Sequence, residues 1–254
     1  MIKNIFFDLD NTIIKDELDD SKYYKEVLTI LGFDESNYMK IYNLIDEYEV
    51  LFNEENNYFN KKELLDFINY HLEQNYPIEL IDEISKAIGK YWIKEVYLKE
   101  EIIKKLSSKY NLYVYTNYFE DAQSMRIKNI GYDKYFKKIF AADKFGCKPY
   151  KSSFKRVLDY LKAKPEECIM IGDSISKDIL AANNIGMKSI LFDYDGKRDN
   201  KSLNLKDYIV INNMDDVIEE LEKIEKRWNA KKVYITLALL IKNWYNIWSY
   251  KKIL

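Results

Sequence analysis

Short apolar runs alternate with helix-like patterns along most of the chain. The first run, Ile5 to Phe7 with Ile2 before it, is uninterrupted, which is typical of a strand buried in a parallel sheet. Similar runs occur at residues 112–115, 139–142, 168–171, 188–192 and 208–211, with helical patterns between most of them. This alternation predicts an α/β fold, in which a parallel sheet is covered by helices on both faces.

The segment between the first two predicted strands follows a different pattern. From about Lys15 to Tyr97, apolar residues recur at helical spacing and no convincing alternating strand is present. We therefore expect an all-helical insertion at residues 15–97, broken near Gly32-Phe33, residues 53–57 and Tyr76-Pro77. The core domain would then consist of residues 1–14 and 98–226.

The C-terminal segment, residues 227–254, is a predicted basic amphipathic extension. It contains six basic residues and no acidic one, so with a net charge of −2 for the whole chain the first 226 residues carry −8. An acidic body disfavours a nucleic-acid partner. The apolar part of the extension is too short to span a bilayer. Residues 229–254 either pack against the core or a second subunit, or bind a membrane surface or a protein partner.

Composition limits the class of protein further. A chain of 254 residues with only 7 glycines and 3 prolines is long enough for a domain with an insertion and short of flexible linkers. The two cysteines, Cys147 and Cys168, follow no secretory leader. This combination predicts a cytoplasmic protein without a structural disulfide.

Polar residues that are able to carry chemistry follow the predicted strands. Each by itself is a weak signal, because Asp, Asn and Thr also begin turns and cap helices. The carboxyl ends of parallel strands meet at one edge of a sheet, where α/β proteins bind ligands. The residues that we expect to converge there are Asp8, Asp10, Thr116, Asn117, Lys148, Asp173 and Asp178.

The order and types of these residues resemble the four motifs of the haloacid dehalogenase (HAD) superfamily, in its phosphatase branch. The matching positions are Asp8-Leu9-Asp10-Asn11-Thr12, Thr116, Lys148 before Pro149, and Gly172-Asp173 with Asp178. The resemblance covers Met1 to about Ile211 and implies a Rossmann-like core. The long insertion resembles the helical first-class cap of that superfamily.

The resemblance implies a specific chemistry for the two N-terminal carboxylates. Asp8 would attack phosphorus and form an aspartyl-phosphate, which divides one difficult hydrolysis into two easier steps. Asp10 would protonate the leaving group and then deprotonate the attacking water. Mg²⁺ would be held by the Asp8 carboxylate, the Asp10 main-chain carbonyl and Asp173, as suits a cation that prefers oxygen ligands.

The same resemblance implies roles for the later motifs. Thr116, Asn117 and Lys148 would bind the phosphoryl group, and Asp178 would hold Lys148 or a metal-bound water. Simpler interpretations exist for each position. Lys148 would be a solvated loop lysine, Asp178 an acid at a helix start, and Asn117 a helix cap.

Together these observations predict a Mg²⁺-dependent phosphomonoester hydrolase acting on a small phosphorylated metabolite, such as a sugar phosphate or a nucleotide. A phosphomutase of the same fold and a non-catalytic binding or regulatory module are the alternatives. A homo-oligomer is compatible with the predicted phosphatase and with either alternative. Specificity would reside in the cap. Its aromatic residues Tyr48, Phe52, Tyr58 and Phe59 either stack on a substrate or, more simply, form its core.

Overall fold

Six parallel strands form the central sheet of the computed structural model, which describes residues 1–15, 35–51, 58–91, 95–197 and 208–227. The strand order is β5-β4-β1-β6-β7-β8, so the predicted parallel α/β fold is confirmed. The strands are β1 (Asn4–Phe7), β4 (Asn111–Thr116), β5 (Phe136–Ala141), β6 (Cys168–Gly172), β7 (Lys188–Phe192) and β8 (Tyr208–Ile211). Two shorter strands, β2 (Ile14–Lys15) and β3 (Glu95–Val96), form a separate ribbon.

Helices cover both faces of the sheet because successive strand residues point to opposite sides. In β1, Ile5 and Phe7 belong to one apolar cluster, while Phe6 belongs to another with Phe154 and Met170. The helices of this domain are α4 (Glu100–Ser107), α5 (Glu120–Asn129), α6 (Ala142–Phe145), α7 (Lys151–Leu161) and α8 (217–227). A π-helical segment, Ile175–Leu180, follows β6 and continues into a short α-helix, Ala181–Asn183.

The insertion is helical, with one difference from the prediction. It contains α1 (Glu35–Leu51), α2 (Lys61–Leu72) and α3 (Glu79–Tyr91), and the break predicted at Tyr76-Pro77 lies between α2 and α3. The ribbon at its base, where Ile14 pairs with Val96 and Lys15 with Glu95, contradicts an all-helical insertion. Strands of two residues are too short to show a period-two pattern. The breaks predicted near Gly32-Phe33 and residues 53–57 lie outside the described residues.

The cap has its own apolar core, which extends onto the main domain. Tyr48 and Phe59 are buried in it, so the interpretation of these two aromatic residues as core is correct. Phe52 lies outside the described residues, and Tyr58 is exposed. The same apolar cluster includes Phe119 and Ala122 from the region of α5. The cap therefore packs directly against helix α5.

Some predictions concern parts of the chain that the structure does not describe or describes only partly. The basic extension falls almost wholly within residues 228–254, outside the described residues. Among the residues described, no helix has the length and apolar character needed to cross a membrane. Cys147 and Cys168 are both buried free thiols.

Candidate active site

The carboxyl ends of three neighbouring strands bring the predicted site residues together. Asp8 follows β1, Thr116 ends β4 and Asp173 follows β6, and β1 lies between the other two strands. The main-chain N–H of Asp8 donates to the Ile171 carbonyl at 2.8 Å, which extends the pairing of β1 with β6. A cavity of about 370 Å³ opens at this edge, and its lining includes Asp8, Asp10, Thr116, Asn117, Lys148 and Asp173.

Lys148 is a buried lysine between two carboxylates. Its Nζ lies 2.8 Å from Asp8 Oδ1 and 2.6 Å from Asp178 Oδ1. The Lys148 side chain is only 2% exposed and that of Asp178 is fully buried. The interpretation of Lys148 as a solvated loop lysine is therefore wrong. Asp178 is an acid at a helix start, since it lies in the first turn of Ile175–Leu180, and it also holds Lys148.

Asp178 uses both of its oxygens to hold its surroundings. Oδ1 accepts from Lys148 Nζ, and Oδ2 accepts from the main-chain N–H of Ser174 at 3.1 Å. Gly172 leaves the space for this carboxylate, because a Cβ atom at position 172 would overlap the Asp178 side chain. The glycine before Asp173 is thus required by a close side-chain approach.

Burial changes the proton affinities of this group. Desolvation raises the pKa of Asp8 to about 7, although the charge of Lys148 opposes the rise. Desolvation likewise raises the pKa of Asp178, again against the effect of Lys148. Burial alone would lower the pKa of Lys148, but Asp178 and Asp8 outweigh it, so that its pKa is raised and the lysine stays charged.

The carboxylates suit a hard divalent cation. Ligand oxygens of Asp8, Asp173 and Asp178 lie within 4.8 Å of one another, and a set made only of oxygen atoms is the type that Mg²⁺ prefers. With one lysine against three acids, the ionised group has an excess of negative charge that such a cation would balance. Since Asp178 already bonds to Lys148 and Ser174, Asp8 and Asp173 are the better candidates for direct ligands.

Asn117 connects two loops of the site. Its Nδ2 donates to the Lys148 carbonyl at 3.3 Å, and its Oδ1 accepts from the Lys148 main-chain N–H at 2.9 Å. Helix α5 instead begins after Phe119, which makes no side-chain cap bond, so the helix-cap interpretation of Asn117 is wrong. Both polar groups of its side chain serve to fix the main chain that carries Lys148. A phosphate contact for Asn117 stays a prediction.

Two residues of α5 that sequence reasoning missed also belong to the site. Arg126 Nη1 lies 2.6 Å from Asp10 Oδ1, and Gln123 Nε2 donates to Thr116 Oγ1 at 2.9 Å. Both side chains are buried. Their spacing of three residues places them on one helix face, but polar residues at such spacing are usually solvated, so the sequence contained no clear signal for them.

Cap residues form the opposite wall of the cavity. The contributing side chains come from α1 and α3 and are Tyr42, Ile45, Asp46, Glu49 and Ile88. Lys177, from the π-helical segment after β6, lines the same cavity. A ligand in this space would therefore contact both the carboxyl edge of the sheet and the cap.

A parallel sheet, a helical cap and a buried carboxylate-lysine group at the cavity between them define an α/β protein with a capped polar site. Sequence comparison agrees, since the family model for haloacid dehalogenase-like hydrolases matches residues 2–186. The chain belongs to the haloacid dehalogenase-like hydrolase family. The resemblance described from its motifs is thereby confirmed.

Relatives of established name are similar over most of the chain. The glyceraldehyde 3-phosphate phosphatase of Pyrococcus furiosus is 30% identical over 244 residues, which cover 87% of this chain and 94% of the relative. The pyrophosphatase PpaX of Anoxybacillus flavithermus is 26% identical, covering 52% of this chain and 67% of its own. These relatives confirm that the protein is a phosphatase of the HAD type.

Solved structures show the same fold. The magnesium-bound putative HAD-hydrolase YfnB of Bacillus subtilis superposes with a TM-score of 0.62 at 18% identity, covering 87% of this chain and 99% of the other. At this identity the likeness concerns the fold alone.

Proposed function

We propose that this phosphatase is a Mg²⁺-dependent phosphomonoester hydrolase that works through an aspartyl-phosphate on Asp8. The observation that carries the proposal is the buried group in which Lys148 contacts Asp8 and Asp178, with Asp173 beside them. A structural protein gains little from two carboxylates and one lysine in its interior, because such charges are costly to desolvate. A phosphoryl-transfer site needs these groups.

Asp8 is the proposed nucleophile. Its main chain is fixed by β6 and its Oδ1 is held by Lys148, so the carboxylate has a defined direction at the floor of the cavity. Attack on phosphorus transfers the phosphoryl group to Asp8 and releases the alcohol. Lys148 stays charged and offsets part of the negative charge of the incoming phosphoryl group.

Asp10 is the proposed proton donor and acceptor. Its carboxylate bonds to Arg126 and Gln123 of α5, whereas that of Asp8 bonds to Lys148. The two carboxylates therefore have different partners and different proposed roles, even though only Leu9 lies between them in the sequence. Asp10 gives a proton to the departing oxygen and later takes one from the water that hydrolyses the aspartyl-phosphate.

Asp8, Asp173 and the main chain of Asp10 would hold Mg²⁺. When bound, the cation supplies charge neutralisation that lets a carboxylate approach a phosphate dianion. Thr116, at the end of β4 and on the cavity wall, is the proposed hydroxyl contact to the phosphoryl oxygens. The Thr116 hydroxyl donates to the Asn117 carbonyl at 3.0 Å, so it would rotate to donate to a phosphoryl oxygen instead.

The cap wall favours a leaving group without a second phosphate. Among the described residues on this side of the cavity, Asp46 and Glu49 bring two carboxylates and Lys177 one ammonium, and like charges at close range repel. A phosphorylated sugar with an uncharged leaving group fits this wall better than pyrophosphate or a bisphosphate. Because its relative in P. furiosus is a glyceraldehyde 3-phosphate phosphatase, triose phosphates are the first substrates to assay.

The test is a phosphate-release assay with Mg²⁺ on a panel of sugar phosphates, nucleotides, pyrophosphate and bisphosphates. The Asp8→Asn variant should fold and lose turnover, and intact-protein mass spectrometry should find a phosphoryl adduct in the wild type but not in the variant. Asp66→Asn, an exposed acid on α2, is the matched control and should behave as the wild type. Retained turnover in Asp8→Asn would remove Asp8 as the nucleophile.

The same panel separates the alternatives. A phosphomutase would require a hexose 1,6-bisphosphate and would return the phosphoryl group to a sugar instead of water. A non-catalytic module would release no phosphate from any compound, although all the expected reactive residues are present.

A further inference from the structure

Helix α5 holds both oxygens of the Asp10 carboxylate. Arg126 Nη1 lies 2.6 Å from Oδ1, and Gln123 Nε2 donates to Oδ2 at 3.3 Å. The Arg126 side chain is 3% exposed, while that of Asp10 is 34% exposed. The Asp10 carboxylate is therefore bound by α5 on one side and remains accessible from the cavity on the other.

The two donors are themselves fixed. Arg126 Nη1 donates to Gln123 Oε1 at 2.9 Å, which sets the orientation of the amide. The two hydrogens of the Gln123 amide are shared among Asp10 Oδ2, Thr116 Oγ1 at 2.9 Å and the Asn117 carbonyl at 3.0 Å. These bonds connect Asp10 to the end of β4, where the phosphoryl group is proposed to bind. Side chains in such a network have little freedom to rotate.

Packing alone does not explain a buried arginine at this position. Helix α5 already buries Ala122 and Ile127, and a buried guanidinium is costly unless it is paired. The pairing is selective. The cation that holds Asp8 is Lys148, from the loop after α6, and the cation that holds Asp10 is Arg126, from α5. Each carboxylate thus has its own support on a different element.

We infer that Arg126 and Gln123 are positioning residues that aim the Asp10 carboxyl at the leaving-group oxygen. This inference depends on the proposed function. In the first step the bond from phosphorus to the leaving oxygen breaks as the bond to the Asp8 carboxylate forms, and Asp10 gives its proton to that oxygen. In the second step water attacks phosphorus, Asp10 takes the proton, and Asp8 is released with inorganic phosphate.

The test uses the dependence of the rate on the leaving group. An alkyl phosphate such as glycerol 3-phosphate needs a proton on its departing oxygen, whereas p-nitrophenyl phosphate releases a stable phenolate. Replacing Arg126 or Gln123, which hold Asp10, should therefore lower kcat/KM for the alkyl substrate by about tenfold or more. A correctly positioned general acid contributes about 10²–10⁴-fold to the rate. The aryl substrate should lose less than about threefold. The parameter kcat/KM is used because it includes only the steps up to release of the alcohol.

The variants are Arg126→Met and Gln123→Leu, each measured with both substrates in the intact protein. Arg126→Lys should restore part of the alkyl activity, because a cation returns near Asp10 Oδ1. Lys128→Met changes an exposed cation of the same helix and should leave both substrates unaffected. If Arg126→Met does not fold, Gln123→Leu answers the same question through the other oxygen.

Two outcomes would overturn the inference, and a third concerns the proposed function. Equal losses of kcat/KM for the alkyl and aryl substrates would show that Arg126 and Gln123 only stabilise the local structure and do not orient Asp10 for proton transfer. Unchanged kcat/KM for both substrates would show that Asp10 needs no support from α5. If the wild type hydrolyses neither substrate nor any other phosphomonoester, the proposed function itself fails, and this result is distinct from the first two.

Discussion

Replacement of Lys148 by methionine tests the electrostatic centre of the site directly. The change keeps most of the apolar stem but removes the ammonium that contacts Asp8 and Asp178 at 2.8 and 2.6 Å. Both carboxylates then remain buried without their cation. Loss of one partner from a buried ion pair costs about 3–5 kcal/mol, because a buried charge is left uncompensated.

The expected effect on thermal stability follows from this cost. For a chain of this size about 1 kcal/mol corresponds to about 2–4 °C in Tm, so Lys148→Met should melt about 10 °C or more below the wild type in EDTA at pH 7.5. At pH 5 the difference should be smaller, because the buried carboxyls, whose pKa values are raised by desolvation, then accept protons. Phosphate release should fall by at least about 10²-fold.

A second substitution separates charge from packing. The double variant Lys148→Met/Asp178→Asn removes one of the two orphaned carboxylates and should regain about half of the lost stability, but none of the activity. Lys144→Met, an exposed lysine shortly before Lys148, should shift the Tm very little. The reasoning is refuted if Lys148→Met melts with the wild type, or if its deficit is the same at both pH values and is not relieved by Asp178→Asn.

Further predictions concern the glycine, the metal and the extension. Gly172→Ala should displace the Asp178 carboxylate and lower both Tm and turnover. The free energy of unfolding should fall by about 1–3 kcal/mol, and an unchanged Tm would contradict this. In EDTA, stability should fall as pH rises from about 4 to about 7, because folding raises the pKa of Asp8; Mg²⁺ should reverse the fall, and a flat melting profile refutes it. Deleting residues 229–254 should leave phosphate release mostly unchanged, whereas insoluble protein would show that they belong to the core or an oligomer contact.

The fold and the floor of the site were predictable because they depend on local patterns. The strand run before Asp8 and the polar residues after Ile171 follow from apolar periodicity and from the geometry of parallel sheets. The order of the motifs then indicates the family. The two-residue strands at the base of the cap escaped prediction, since Ile14–Lys15 and Glu95–Val96 are too short to show any period.

The residues that hold the site side chains in place were harder to predict, because their role depends on which side chains are in contact in the folded structure. Arg126 resembles an ordinary surface cation in the sequence, and only the approach of α5 to the loop after β1 makes it a partner of Asp10. Asn117 has the residue type of a helix cap, yet its amide bonds to the main chain of Lys148, 31 residues further along the chain. Contacts of this kind require the tertiary structure.

Helix α5 contacts the cap on one face and holds Asp10 on the other. On the cap side, Gly89 of α3 lies so close that a Cβ atom there would be 2.7 Å from Met125 Cβ, and Asn129 donates to the Gly89 carbonyl at 2.7 Å. On the other side, Gln123 and Arg126 hold Asp10. A shift of the cap on α5 would therefore reach Asp10, the proposed proton-transfer residue, as well as the cavity wall. The motifs that indicate the family lie at the carboxyl edge of the sheet, whereas the opposite wall of the cavity comes from cap residues that no motif includes, so the family could be recognised from the motifs but the substrate could not.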